Sequence, residues 1–297
     1  MPGLTPTRSL LAPAVKNGLK AASRSIPPRA PRPRPEATSE PDKLVPDIVY
    51  EDERYLVLNK PNGVALQGQF GSPARKQWDD LLDTLRGRPE SPNVFPVHRL
   101  DKSTTGTLLV AKSQLHAARL SQQLAKHEIE REYLAIVHGQ LRVGFKGTVA
   151  DRLRVDDDRV RVARGREGEP EGVDARTDWE CVANSPGFSL LSLTPSTGRK
   201  HQLRVHVSQC IRAPIVGDFK YAPDAPHFQA LTELSISPST TMLHASRISF
   251  HAWAKNGKRQ TIEVRAPVPP MFDRFCRAHK LALPPLSFEP RHPSSRG

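Results

Sequence analysis

The sequence has few cysteines and no long apolar segment. Its three cysteines, Cys181, Cys210 and Cys276, lie far apart among 297 residues, so they form neither a CxxC metal pair nor a dense disulfide framework. This spacing favours a reducing compartment. No run reaches the ~18 consecutive apolar residues of a membrane-spanning helix, and the mean hydropathy of -0.50 agrees. We therefore expect a protein that does not span a membrane.

Acidic residues are scarce relative to basic ones. The chain has 44 Lys and Arg against 31 Asp and Glu, a formal net charge of +13, and this excess favours a polyanionic partner such as nucleic acid. The first 35 residues carry seven Lys or Arg and no acid. With apolar residues at near-helical spacing before Pro27 and Pro28, that composition is typical of a mitochondrial transit peptide. The alternative is a disordered basic arm that touches RNA.

Composition divides the chain into three segments. We predict a basic, proline-rich leader over 1–44, one catalytic domain over 45–283 and a flexible C-terminal tail over 284–297. The stretch 165–172 has no apolar residue and is predicted to be a solvent loop between paired strands.

Strands outnumber helices in the central segment. Short apolar or β-branched runs predict strands on either side of a turn at 51–53 and near 107–112, 131–139, 159–163, 177–182, 188–193, 244–251 and 260–264. Helical periodicity appears at 78–87, 113–126, 203–210 and 272–279. This order predicts an α+β fold with a mixed, mainly antiparallel sheet.

A polar turn just before an apolar strand, Val97–Lys112, is the most unusual segment. There Asp101 lies between Arg99 and Lys102, and nearby positive charge favours the ionised carboxylate. Asp101 is therefore a candidate nucleophile or base. The alternative is an aspartate that caps the turn, with Gly106 adopting a positive φ.

A second polar cluster, Ser196–Gln209, begins in a turn and continues into a helical pattern. It contains four basic or titratable side chains that could meet phosphates or a buried carboxylate, namely Arg199, Lys200, His201 and Arg204. The alternative is a solvated basic face. His201 and His206 do not form the HExxH pattern, so a zinc site is only weakly indicated. A phosphoryl-transfer or nuclease enzyme would need a P-loop or clustered acidic metal ligands, and neither is evident.

Several long motifs resemble one family. The segments HRLDKSTTGTLL, REYLAIVHG, TGRKHQLRVH, PIVGDFKYA and LHASRISF occur in the order, and at about the intervals, seen in the RluA-type family of RNA pseudouridine synthases, and LNKPNG resembles its opening motif. Together they cover about 47–267. The resemblance implies the pseudouridine synthase fold, with flanking helices and loops around a central RNA-binding cleft. It also implies isomerisation of uridine to pseudouridine without cofactor or metal.

The resemblance also implies residue roles. Asp101 matches the catalytic aspartate, Tyr133 matches a tyrosine that stacks near the target base and is a candidate for removing its carbon-five proton, and Arg204 matches an arginine that pairs with the aspartate. A phosphate contact remains the alternative for Arg204. The predicted RNA-binding residues are Arg99, Lys102, Arg199, Lys200 and His201. Two positions depart from the pattern: Thr105 replaces a serine and Gln67 replaces a histidine.

The leader and the resemblance together predict where the protein acts and on what. We expect a monomer in the mitochondrial matrix that modifies structured RNA, with the organelle's large-subunit ribosomal RNA as the first candidate. The alternatives are a transfer or messenger RNA substrate and a cytoplasmic or nuclear location. The alternative from another class is a non-catalytic RNA-binding or ribosome-associated factor with the same fold.

Overall fold

The computed structural model describes residues 47–66, 73–87, 93–157, 159–165, 171–253 and 257–284. All of them belong to one compact unit, 43–297. The predicted leader, the tail beyond 284, Gln67 and most of the predicted loop 165–172 lie outside the described residues. Within the described ranges, no helix is both long enough and apolar enough to cross a bilayer.

Strands outnumber helices, as predicted. The strands are β1 Ile48–Glu51, β2 Tyr55–Lys60, β3 Phe95–Pro96, β4 Thr105–Ala111, β5 Glu130–His138, β6 Lys146–Val149, β7 Leu153–Asp156, β8 Arg159–Val162, β9 Thr177–Ser185, β10 Phe188–Pro195, β11 Leu243–Trp253 and β12 Arg259–Arg265. The α-helices are α1 Pro73–Arg86, α2 Gln114–Ala125, α3 Gln202–Val205, α4 His227–Thr232 and α5 Pro270–Ala278, and a π-helix, His206–Ile211, follows α3 directly.

One large sheet organises the fold. Its strand order is β1-β2-β4-β11-β5-β10-β9-β6, with β12 paired to β11 and β3 paired to β4, while β7 and β8 form a separate hairpin. The pairing of β4 with β11 is parallel, and the other ladders of the described strands are antiparallel. The predicted α+β class with a mixed, mainly antiparallel sheet is confirmed.

The sheet is covered on both faces around β4, and all seven residues of that strand are buried. Side chains alternate along a strand, so Leu108 and Val110 join one apolar cluster while Leu109 and Ala111 join another. Helix α1 covers the first face through residues at the predicted spacing, namely Trp78, Leu81, Leu82 and Leu85. Helix α2 covers the second through Leu120. Because this strand is covered on both faces, its sequence is a continuous apolar run instead of an alternation of apolar and polar residues.

Local signals place the helix boundaries. Ser113 caps α2, because its hydroxyl accepts a hydrogen bond from the backbone N–H of His116 at 3.3 Å. The helix predicted after Ser196 differs from the expectation. It consists of four α-helical residues followed by the π-helix, and its first six residues, Gln202–Val207, are all buried.

Gly106 permits the close approach of β4 and β11 at their parallel pairing. Its φ is +105°, and a Cβ atom at this position would lie 2.1 Å from the backbone oxygen of Ala245. Only glycine accepts both the positive φ and the contact. Because Gly106 follows the Asp101 turn by a few residues, this pairing holds the turn against the middle of the sheet.

Candidate active site

Asp101 lies in the turn between β3 and β4. The backbone closes this turn, since the N–H of Thr104 donates to the carbonyl oxygen of Asp101 at 3.0 Å. The carboxylate oxygen Oδ2 instead faces Arg204 and His201. The partly exposed side chain, at 19%, lines a cleft of about 1020 Å³. The neighbouring Thr105 keeps a hydroxyl that bonds the buried ring of His244 at 2.9 Å.

Lys60 stabilises the turn that carries Asp101 through hydrogen bonds to backbone carbonyl oxygens. It is 1% exposed, and its Nζ donates to the carbonyl oxygens of Pro61, Val64 and Lys102 at 2.9, 3.0 and 3.2 Å. The N–H of Gly63 donates to the same Lys102 oxygen at 2.9 Å. Burial lowers the pKa of Lys60 to about 7, although the negative charge of Asp101 opposes this. The LNKPNG motif therefore braces the loop that carries Asp101.

Arg204 contacts two carboxylates. Its Nη1 donates to Oδ2 of Asp101 at 3.4 Å, while Nε and Nη2 donate to the two oxygens of Asp218 at 2.8 and 2.7 Å. Burial alone would lower the pKa of Arg204, but the hydrogen bonds and charge of Asp218, with the charge of Asp101, raise it, so the guanidinium stays charged. Arg204 is 8% exposed. The alternative of a solvated basic face does not hold for this residue, because carboxylates rather than water compensate its charge.

His201 links Asp101 to Tyr221. It has a positive φ of 52°, and its Nε2 lies 3.9 Å from Oδ2 of Asp101 while its Nδ1 lies 2.5 Å from the Tyr221 hydroxyl. Burial lowers the pKa of His201 to about 4. The negative charge of Asp101 opposes this shift, and the positive charge of Arg204 adds to it. The ring is therefore neutral at pH 7. Since Tyr221 accepts from the N–H of Val160, its own proton can go to Nδ1, which leaves the Nε2 proton directed at Asp101.

Tyr133 lies on β5 and lines the same cleft as Asp101. The residue is 7% exposed. Burial raises the pKa of Tyr133, Arg131 opposes the rise and Asp101 adds to it, so the hydroxyl is protonated at neutral pH. Arg131 precedes Tyr133 by two residues and so lies on the same face of β5. Its Nη2 donates to the carbonyl oxygens of Pro195 and Thr197 at 3.5 and 3.3 Å. The aromatic ring at the cleft suits stacking on a flat base.

Not all of the predicted RNA-binding residues reach the cleft. Arg99, Arg199 and His201 line it. Lys102 is exposed next to Asp101, and Lys200 is half-buried, but both lie outside the lining. The structure therefore brings together all three predicted catalytic side chains and three of the five predicted RNA-binding ones.

No role was predicted for Lys60, Asp218 or Tyr221. Each nevertheless belongs to one of the family-like motifs, LNKPNG for Lys60 and PIVGDFKYA for the other two. The motifs were the available signal, but spacing along the chain does not reveal that these residues converge on Arg204 and Asp101. Among the described residues, no three His, Cys, Asp or Glu side chains converge as a metal-binding group would.

The arrangement defines a class of protein. A carboxylate is held by a charged arginine in a large cleft, beside a tyrosine ring and exposed arginines, on a mainly antiparallel sheet. Such a site can perform nucleophilic chemistry on a flat, polyanionic substrate, which is the chemistry expected of an RNA-modifying enzyme.

Comparisons with known proteins agree with this class. A family model described as RNA pseudouridylate synthase matches residues 54–209. The tRNA pseudouridine synthase C of Haemophilus ducreyi is 35% identical over 216 residues, which are 69% of this chain and 84% of that protein. The ribosomal large subunit pseudouridine synthase C of Escherichia coli is 34% identical over 224 residues, which are 74% of this chain and 66% of that protein.

Solved structures give the same result. Human RNA Pseudouridylate Synthase Domain Containing 4 superimposes with a TM-score of 0.61 at 25% identity, covering 80% of this chain and 95% of that one. Human RNA Pseudouridylate Synthase Domain Containing 1 gives a TM-score of 0.59 at 26% identity, covering 77% and 87%. The chain belongs to the RNA pseudouridylate synthase family, in the RluA group that its motifs resemble. The predicted isomerase class is confirmed.

Proposed function

We propose that this synthase isomerises specific uridines in structured RNA with Asp101 as the nucleophile. The observation that carries the proposal is the position of the carboxylate in the cleft. Oδ2 faces Arg204 and His201, whereas Oδ1 has no hydrogen-bond partner among the described residues. An ionised carboxylate with one oriented and one open oxygen is suited to attack.

The reaction balances without another reactant. Asp101 attacks the uridine, at the sugar or at the base, and the bond between the sugar and nitrogen one breaks. The base turns, carbon five bonds to the sugar, and the carboxylate is released. Carbon five loses a proton and nitrogen one gains one, so product and substrate have the same composition.

Tyr133 supports the proposal by offering a platform for the extruded base. Turning a uridine out of folded RNA costs a few kcal/mol, and stacking on an aromatic ring returns about 1 to 3 kcal/mol. Because its hydroxyl is protonated at neutral pH and so is not ready to accept a proton, we favour stacking on the extruded base as the role of Tyr133. Proton removal from carbon five is its second candidate role.

For the substrate we propose ribosomal RNA of the mitochondrial large subunit. Support comes from the E. coli relative, whose name specifies the large ribosomal subunit. It also comes from the basic leader, whose first 35 residues carry no acid, a composition that favours import into the matrix. Transfer RNA is the second candidate, because the Haemophilus relative is named for it. We propose that the enzyme works there as a monomer.

The test maps pseudouridines in organellar and cytoplasmic RNA from cells with and without the protein. Loss of specific sites in mitochondrial large-subunit RNA, restored by wild type but not by Asp101→Asn, would support the proposal. If pseudouridines are lost only from transfer RNA, transfer RNA replaces ribosomal RNA as the assigned substrate. If no site changes, and if purified protein converts no uridine in transcripts of either RNA, the non-catalytic binding factor becomes the better account.

Localisation needs its own measurement. A fusion of the full chain to a fluorescent protein should enter mitochondria, and removal of residues 1–44 should abolish entry. Mitochondrial entry without those residues would refute the leader assignment, and a cytoplasmic or nuclear full-length fusion would refute the proposed location.

A further inference from the structure

Asp218 accepts two of the three side-chain hydrogen bonds that Arg204 donates to carboxylates. Its oxygens accept from Nε at 2.8 Å and from Nη2 at 2.7 Å, whereas Asp101 receives only Nη1 at 3.4 Å. Asp218 is 1% exposed, so water does not compete for these bonds. The arginine of the site is thus anchored mainly by a second, buried carboxylate.

The backbone holds Asp218 in place. Its N–H donates to the carbonyl oxygen of Ile215 at 3.0 Å, and its own carbonyl accepts from Tyr221 and Ala222 at 3.3 and 3.1 Å. The preceding residue, Gly217, has a φ of +81°, and a Cβ atom there would lie 1.9 Å from the backbone oxygen of Thr240. The turn therefore admits only glycine at this position. It presents Asp218 to Arg204 with little freedom.

Arg204 is also fixed on its face. The guanidinium carbon lies 5.1 Å from the ring centroid of Tyr221, a distance at which a cation is attracted to the ring. With Asp218 on one edge and Tyr221 on one face, the direction of Nη1 is set before any substrate binds.

We propose that Asp218 is a positioning residue for the isomerisation, because it holds the Nε/Nη2 edge of Arg204 so that only Nη1 reaches Oδ2 of Asp101. An arginine prefers two parallel hydrogen bonds to a carboxylate. Without the competing charge of Asp218, the fork is free to take both oxygens of Asp101 and so to cover Oδ1. Asp218 therefore keeps the nucleophilic oxygen open. The inference rests on the proposed role of Asp101 as nucleophile.

The local charge balance supports the same conclusion. Two carboxylates share the single positive charge of Arg204, and the neutral ring of His201 adds none. A buried pair that loses one partner leaves an uncompensated charge, so Arg204 has a strong tendency to seek the remaining carboxylate.

The test compares two variants of Asp218 with a matched control. Asp218→Asn keeps the size of the side chain and removes its charge, while Asp218→Glu keeps the charge and lengthens the side chain by one methylene. Glu132→Gln is the control. Glu132 on β5 also pairs with an arginine, Arg247 on β11, at 2.9 Å, but this pair is only partly buried and Glu132 does not line the cleft. Each full-length protein is assayed for RNA affinity and single-turnover rate on the transcript that wild type converts.

We expect the single-turnover rate to fall about 100-fold in Asp218→Asn and about tenfold in Asp218→Glu, since a displacement near 1 Å has an effect of this size. RNA affinity should stay within about twofold of wild type, because Asp218 does not reach the cleft surface and phosphate contacts dominate affinity. Glu132→Gln should keep both values. An unchanged rate in Asp218→Asn, a parallel loss of affinity and rate, or a Glu variant no faster than the Asn variant would overturn the proposal.

A structural measurement separates this inference from the proposed function. In a crystal structure of Asp218→Asn, Arg204 should contact both oxygens of Asp101, and an unmoved guanidinium would overturn the inference whatever the activity. If Asp218→Asn does not fold, Asp218→Glu decides the matter. A slower rate at unchanged affinity would support the proposal and a wild-type rate would overturn it. Turnover by Asp101→Asn would instead refute the proposed nucleophile.

Discussion

Replacing Arg204 with lysine distinguishes a carboxylate partner from a phosphate contact. Lysine keeps the charge but cannot reproduce the fork that joins Asp218 and Asp101. Of the three donor contacts, at 2.7, 2.8 and 3.4 Å, at least one must be lost, and a hydrogen bond to a charged group contributes about 1.5 to 3 kcal/mol. We therefore expect Arg204→Lys to lower the free energy of unfolding by about 2 kcal/mol. Arg204→Ala should cost about 3 to 5 kcal/mol, because it leaves the buried carboxylate of Asp218 and the partly exposed carboxylate of Asp101 without this cation.

The effect on catalysis should exceed the effect on binding. A carboxylate displaced by about 1 Å loses about 100-fold in rate, which corresponds to about 2.7 kcal/mol of barrier. We expect this loss in the single-turnover rate of Arg204→Lys, with RNA affinity within about twofold of wild type. Although Arg204 lines the cleft, its buried guanidinium donates to the carboxylates of Asp101 and Asp218.

The assay combines three measurements on each variant: denaturant unfolding, RNA affinity at two salt concentrations and single-turnover rate. Arg99→Ala serves as the control, since Arg99 is exposed in the cleft and its loss should weaken binding and reduce the salt slope by about one counterion. If Arg204→Lys turns over normally while Arg204→Ala behaves like Arg99→Ala, Arg204 contacts phosphate and its pairing with Asp101 is refuted.

Four other perturbations test other parts of the structure. Tyr133→Phe should bind RNA as wild type does, because the ring remains. A near-normal single-turnover rate would show that the ring acts by stacking. A steep loss of rate would show that the hydroxyl takes part in removing the carbon-five proton. Between pH 7 and 9, the free energy of unfolding of wild type should rise relative to that of Lys60→Met by about 1.4 kcal/mol per pH unit. The reason is that folded Lys60, with a pKa of about 7, releases a proton that the unfolded chain retains. A difference between the two proteins that does not change with pH would contradict the burial of a titrating amine. Gly106→Ala should lower the free energy of unfolding by about 2 to 5 kcal/mol, because it combines a strained positive φ with a clash against Ala245, and a thermal melt equal to wild type would disprove the close approach. RNA affinity should fall as salt rises, and a flat response in a binding titration would argue against a cleft that follows phosphates.

Much of the fold could be predicted because its signals are local. The buried residues of α1 repeat at helical spacing, Ser113 precedes α2 as a cap, and the apolar run of β4 reflects a strand covered on both faces. Each of these features depends on neighbours within a few positions of the chain. The helix after Ser196 was not predicted well, because Arg204 and His206 look polar in sequence and are buried in the structure.

The candidate site divides in the same way. Motifs with characteristic residues gave Asp101, Tyr133 and Arg204 as the candidate catalytic residues, because the order and content of a motif can be read along one chain. Sequence spacing could not show that Asp218, 14 positions from Arg204 and 117 from Asp101, anchors that arginine, or that Lys60 supports the Asp101 turn. These contacts exist only when strands distant in sequence pair in one sheet.

The sequence by itself determined the charge, the strand-rich composition and the family motifs, and with them the α+β class and the isomerase chemistry. The tertiary structure decided which oxygen of Asp101 stays open, which carboxylate holds Arg204, and that His201 is neutral. The reason is physical: a pattern of residue types specifies which groups are available, but hydrogen-bond geometry and desolvation depend on the neighbours that folding brings within a few ångströms.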